Sequence, residues 1–172
     1  MAARLVGYGT RVDQTLAALA ELAAQRRRGR SIACAESFTA GLVAQSLASA
    51  TDAAEWFRGG VVAYHAQVKH TLLGVSPGPV VQESAAREMA AGVAKLLGAD
   101  VGMSTTGVAG PDPQRGRPAG TVVIGWWVEG FEGADTLQFS GDPESVVLKG
   151  TRAALARLAA ALSEQLTDAE ET

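Results

Sequence analysis

One cysteine, two histidines and three lysines in 172 residues narrow the chemistry before any motif is read. A lone thiol, Cys34, excludes a disulfide framework within the chain. His65 and His70 stand five apart, off the i,i+4 spacing of a helical metal pair, and with one Cys they are too few for a Cys/His zinc site. The expectation for metals is none. A Ser-His-Asp triad would need one of these two histidines, and nothing places either beside a serine. No apolar run approaches the roughly 20 residues of a membrane span. The start, Met1-Ala2-Ala3-Arg4-Leu5, shows no apolar stretch of a secretory leader, so a soluble cytoplasmic protein with no membrane partner is expected. Neither sign of charge dominates, at net −3 and pI about 5.4, which argues against a nucleic-acid partner. Arginine supplies 12 of the 15 basic residues, so Lys69, Lys95 and Lys149 stand out as positions where an ammonium is used in place of the prevailing guanidinium.

What is present is ordinary folded-domain composition, 47% apolar and 19% charged, in a chain long enough to bury a core without staples. One domain over residues 1–172 is the expectation. Helical periodicity runs over 10–28, where Thr10 and Asp13 are spaced for a capping box, and the Arg26–Arg30 run reads as dipole complement and solvated charge rather than an anion site. A short buried strand over 31–35 precedes a helix over 42–50. A turn of helix over 52–57, a strand over 60–64, a helix over 66–73 ending at Gly74 and a helix over 82–97 ending at Gly98 follow. Strands are expected over 100–106, 121–128 and 134–139, the last two joined as a hairpin through 129–133. A helix over 142–166 closes the chain, with an acidic tail that frays. Alternating strands and helices predict an α/β domain of three layers, α/β/α, and the hairpin makes its sheet mixed.

Three junctions follow predicted strands, on the edge where open α/β sheets bind ligands. At the first, Cys34-Ala35-Glu36-Ser37-Phe38-Thr39-Ala40-Gly41, Ser37 is either a nucleophile with backbone donors nearby or, with Thr39, an N-cap; spacing alone favours the cap. At the second, Tyr64-His65-Ala66-Gln67-Val68-Lys69, the lysine is either a base with a depressed pKa or a surface charge, and the tyrosine a relay or a packing group. The third, Ser104-Thr105-Thr106-Gly107-Val108-Ala109-Gly110-Pro111, lets backbone approach a ligand but is neither a dinucleotide fingerprint nor a phosphate loop. It opens the irregular stretch 107–120, too long to be idle in a compact domain.

Taken in order, Ala35-Glu36-Ser37, then Gly59-Gly60-Val61-Val62-Ala63-Tyr64 through Lys69, then Leu72-Leu73-Gly74-Val75, Thr106-Gly107-Val108-Ala109-Gly110-Pro111-Asp112 and Pro118-Ala119-Gly120-Thr121-Val122 resemble the C-terminal domain of the competence/damage-inducible CinA proteins. The likeness extends over about Leu16 to Leu162. That family includes stand-alone nicotinamide mononucleotide deamidases. The resemblance implies a cofactor-free hydrolase in which Ser37 attacks the carboxamide carbon, Lys69 takes its proton and Tyr64 orients or relays it. Thr39, Thr105, Thr106 and Gly107 would line the substrate site. The family usually reads Glu-Ser-Cys-Thr-Gly-Gly where this chain has Phe38 and Ala40. It often carries Ser-Asn at His65-Ala66 and a serine near Gln82. It commonly has arginines at the positions of Pro143 and Val147. Arg115 and Arg117 are the nearest substitutes for a substrate phosphate, with two solvated loop charges as the alternative. A deamidase of another substrate, or a nucleotide-binding module without turnover, stays open beside the leading function. A homodimer is a further expectation; Trp126 or Trp127 would serve an interface, although a half-buried strand explains both more simply.

Overall fold

A computed structural model describes residues 10–128 and 131–170, with side chains over 14–128 and 131–164. The elements are α1 (Thr10–Arg26), β1 (Ile32–Glu36), α2 (Leu42–Ala48), α3 (Ala53–Trp56), β2 (Phe57–Val62), α4 (Ala66–Leu73), α5 (Glu83–Leu97), β3 (Val101–Gly107), β4 (Thr121–Val128), β5 (Phe131–Gln138) and α6 (Pro143–Glu170). The five strands form one mixed sheet in the order β2-β1-β3-β4-β5. β1 pairs in parallel with both β2 and β3, whereas β4 runs antiparallel to its neighbours.

Strand alternation sets the two faces. Ile32 and Cys34 of β1, Val101 and Met103 of β3 and Val122 and Ile124 of β4 bury against α1, α2 and α6. Ala33 and Ala35 turn the other way, onto Met89 and Val93 of α5 and Leu73 of α4. These two helical layers around the sheet give the expected α/β/α sandwich. Helix α5 lies close on the sheet because Gly102 and Gly125 leave no side chain beneath it: a Cβ at either would strike the carbonyl of Ala90 or Ala86. Ser104, from the same face, donates to that Ala86 carbonyl at 2.6 Å.

Two strands begin earlier than the pattern suggests, each because a glycine reads as a breaker. β2 starts at Phe57, not Gly60, and ends at Val62, so Tyr64 stands two residues past the strand. Its register jumps from Ile32↔Phe57 to Ala33↔Gly59, a bulge that Gly59 absorbs at φ 119. β5 starts at Phe131 rather than Ala134, with Gly133 inside it because the Trp126 ring occupies the space of a side chain. Trp126 is itself buried, stacked under the Arg157 guanidinium at 3.7 Å. Helix α6 extends past Leu166, with helical backbone to Glu170. The capping-box side chains of Thr10 and Asp13 lie outside the described residues. Among the described residues no helix is long and apolar enough to cross a membrane.

Candidate active site

The strand order places the site. The chain leaves β1 for β2 on one side, then returns to β3 on the other, so β1 is the point where the sheet's winding reverses. The crevice beyond the carboxyl ends of the flanking strands is the usual ligand position in such sheets. Glu36, Val62 and Thr105 stand level across the three strands, so the segments that follow them open onto one edge. A cleft of about 250 Å³ lies there, and its lining includes Ser37, Phe38, Tyr64, Lys69, Gly107 and Arg115.

At the β1–α2 junction the cap is neither Ser37 nor Thr39. Helix α2 begins after Gly41, which offers no side chain, and the buried Glu36 carboxylate reaches forward instead. It accepts hydrogen bonds from the amides of Gly41 (2.9 Å), Val43 (3.1 Å) and Ala44 (2.8 Å). The Ser37 hydroxyl is thereby left without a capping duty, and it makes no hydrogen bond to another described residue. The Ser37 amide donates to the Thr105 carbonyl at 3.0 Å, fixing the serine against the end of β3. Thr39 and Thr105 are buried and share a hydroxyl–hydroxyl bond of 2.6 Å, away from the cleft lining. Ala40 takes φ 49, the left-handed conformation that the glycine of the family pattern adopts freely. Phe38 seats its ring over Gly150 of α6, where any Cβ would collide with it.

Lys69 comes from the second turn of α4 and is 2% exposed. Its ammonium donates to the Tyr64 carbonyl at 3.3 Å. Burial, and then the positive charge of Arg115, lower its pKa from 10.5 to about 8. Tyr64 is 73% exposed, so its carbonyl, not its ring, holds the lysine. His65 caps α4 by accepting the Gln67 amide at Nδ1 (3.1 Å), and it also lines the cleft.

From β3, Thr106 donates to the Val80 carbonyl at 2.9 Å and Gly107 reaches the cleft wall. The long loop beyond carries a tight hairpin, in which Gln114 and Arg117 exchange backbone bonds of 3.0 and 2.9 Å. Its central residues, Arg115 at φ 51 and Gly116 at φ 75, have the signature of a type I′ turn. Arg115 at this tip lines the cleft, and Arg117 is not among the lining residues. Among the described residues, the lining includes Lys69 and Arg115 and no carboxylate.

The cleft thus brings together Ser37, Tyr64, Lys69, Thr106, Gly107 and Arg115, and leaves Thr39, Thr105 and Arg117 outside its lining. Glu36, whose carboxylate caps α2 beside Ser37, is the residue at this junction that the sequence pattern did not single out. Its signal was there: an acidic residue ending an apolar strand must find donors if buried, and the nearest are the amides of the next helix.

Residues 13–162 match the CinA C-terminal domain. The chain is 41% identical, over 83% of its length and 89% of the other's, to the nicotinamide-nucleotide amidohydrolase PncC of Enterobacter agglomerans. It is 45% identical over 121 residues to a competence-damage inducible protein of Bacillus velezensis, of whose length it spans 29%. The crystal structure of a CinA superfamily protein from Klebsiella pneumoniae superposes with a TM-score of 0.82 at 32% identity, covering 87% of this chain and 98% of that one. With sequence, fold and junction motifs in agreement, the chain belongs to the CinA C-terminal domain family.

Proposed function

We propose that residues 1–172 act as one amidohydrolase unit that converts nicotinamide mononucleotide to nicotinic acid mononucleotide and ammonia. The observation that carries this reading is the burial of Lys69 in the same cleft as Ser37, with its pKa brought down to about 8. The similarity to the PncC amidohydrolase supports the substrate.

In this scheme neutral Lys69 takes the Ser37 proton as Oγ attacks the carboxamide carbon. The carbonyl oxygen becomes an oxyanion, for which two kinds of backbone donor are at hand. The amide of Phe38, which lines the cleft, bonds to no other described residue. The Val101 amide points at β1, donating to the Ser31 carbonyl, so by alternation the Gly107 amide points the same way, one step past the paired Glu36↔Thr105. When the tetrahedral species collapses, the C–N bond breaks and Lys69 returns its proton to the departing ammonia. Water then attacks the acyl-enzyme, passes a proton to Lys69, and frees the acid as Ser37 regains its hydrogen. Arg115 receives the phosphate. No metal or cofactor takes part in the scheme.

Ser37→Ala decides the reading. Ammonia release from nicotinamide mononucleotide should fall at least about a thousandfold, while the melting temperature stays within a degree or two, because Glu36 and not Ser37 caps α2. Near-normal turnover would remove the serine from the mechanism. Nicotinamide riboside and simple pyridine carboxamides, run beside the nucleotide, separate this substrate from another carboxamide.

A further inference from the structure

The turn that carries Ser37 is held by a side chain that does no chemistry. We propose that Glu36 is a positioning residue, which pins the 37–40 turn through the Gly41, Val43 and Ala44 amides and so leaves the amide of Phe38, which lines the cleft, free for the oxyanion. This inference rests on the serine reading above.

Five observations carry it. Glu36 is 1% exposed, so its carboxylate is a fixed internal group and not a solvated charge. Its two oxygens are both engaged: Oε2 accepts from Gly41 and Val43, and Oε1 from Ala44 and weakly from the Cys34 thiol at 3.8 Å. The turn is therefore clamped at both ends by one residue. The backbone of Glu36 is locked between Val62 and Thr105, and its side chain grips the residue that follows the turn. Inside the clamp, the Ala40 amide donates to the Ser37 carbonyl (3.3 Å) and the Leu42 amide to that of Thr39 (3.1 Å). Finally, α2 has only seven residues, too short to order its own first turn, and Ala40 sits in a left-handed conformation that relaxes once the clamp is loosened.

The division of amides has a chemical consequence. Three of the donors at the start of α2 are consumed by Glu36, so they neither attract the substrate's phosphate nor compete for its carbonyl oxygen. A carboxamide at position 36 breaks this division, because its NH2 faces an N–H donor and leaves at least one amide unpaired.

The test compares wild type, Glu36→Gln, Glu36→Asp and Ser37→Ala. Readouts are kcat and KM for nicotinamide mononucleotide, and the rate constant, by intact mass, with which phenylmethanesulfonyl fluoride modifies Ser37. For Glu36→Gln, kcat and the labelling constant should both fall at least tenfold, with KM changed less than threefold. Glu36→Asp keeps the charge but loses the reach, and should resemble Gln. A role in stability alone lowers the number of active sites without altering the labelling constant per site. If Ser37→Ala is inactive while Glu36→Gln stays within twofold of wild type in kcat and labelling, this inference is overturned and the serine reading stands. Loss of the folded state in both Glu36 variants overturns it as well, since the residue then serves stability only. Turnover retained by Ser37→Ala sinks the serine reading itself.

Discussion

In the proposed mechanism, Lys69 trades stability for chemistry. Lys69 is 2% exposed as a residue, and among the described residues the one hydrogen-bond acceptor of its ammonium is the Tyr64 carbonyl at 3.3 Å. With Arg115 nearby, the charged form is disfavoured and the pKa drops to about 8. At pH 7 roughly one molecule in ten then holds the neutral amine that a base requires, against fewer than one in a thousand for a free lysine. Activity should therefore rise along a single limb up to about pH 8 and level off above it. The limb in kcat should lie at higher pH than that in kcat/KM, because bound phosphate offsets the Arg115 charge. The folded state binds fewer protons than the unfolded chain between pH 8 and 10.5, so this lysine makes stability rise with pH across that window. Lys69→Met should abolish turnover yet raise the melting temperature at pH 7 by a few degrees, about 1–2 kcal/mol, and flatten that rise. A pH–rate profile and a thermal scan at pH 7 and 10 check both. A Met variant that melts lower than wild type would mean the ammonium is well satisfied where it sits.

At the scale of elements, the legible parts were those with a long period or a sharp stop. Helices α4 and α5 end at Gly74 and Gly98, both left-handed caps, as their sequences indicate. The misplaced boundaries fall where glycine continues a strand instead of ending it, Gly59 by absorbing a bulge and Gly60 and Gly133 by leaving room for the Cys34 and Trp126 side chains, and no local pattern separates those uses from a turn. The same limit governs the β1–α2 junction: Ser37 and Thr39 have the chemistry of a cap, and only the fold shows that Glu36 arrives first. Helix α5 offers a test of cap logic on neutral ground. Its N-cap, Gln82, has extended backbone (φ −159, ψ 161) and no side-chain cap bond, because glutamine is one methylene too long to fold back onto the first turn. Gln82→Ser supplies a hydroxyl for the first-turn amides and should add about 0.5–1 kcal/mol, or roughly 2–3 °C in the melting temperature, without altering KM. An unchanged melting temperature would mean that water already satisfies those amides.

Across the whole molecule, the pairing of sites was readable because it follows from strand order, while their side-chain geometry was not. Three strand-ending motifs scattered from Glu36 to Gly107 converge because β2, β1 and β3 are parallel neighbours, a topology that alternating strands and helices already favour. The field in the cleft is a separate property, set by which charges the folded loops bring back. The protein carries a net −3, yet among the described residues the cleft lining includes Lys69 and Arg115 and no acid. The proposed substrate, nicotinamide mononucleotide, would bring a phosphate dianion to an acidic molecule and settle it beside a cationic mouth, an interaction that salt screens over about 30 Å at 0.01 M and under 10 Å above 0.1 M. KM for nicotinamide mononucleotide should rise at least threefold between 0.01 and 0.3 M salt, and KM for nicotinamide riboside, which lacks the phosphate and carries only the pyridinium cation, should not rise. Arg115→Ala should raise KM for the nucleotide about tenfold, in line with the loss of one charge-assisted contact, and remove most of the salt dependence. Arg117 is outside the cleft lining although it is only two residues away in the same hairpin, so Arg117→Ala should leave both constants near wild type. Equal penalties from the two arginines would show that the loop acts through its shape and not through the guanidinium at its tip. No penalty from either would move the phosphate to another part of the cleft, with the His65 ring at the α4 cap as the next donor to remove.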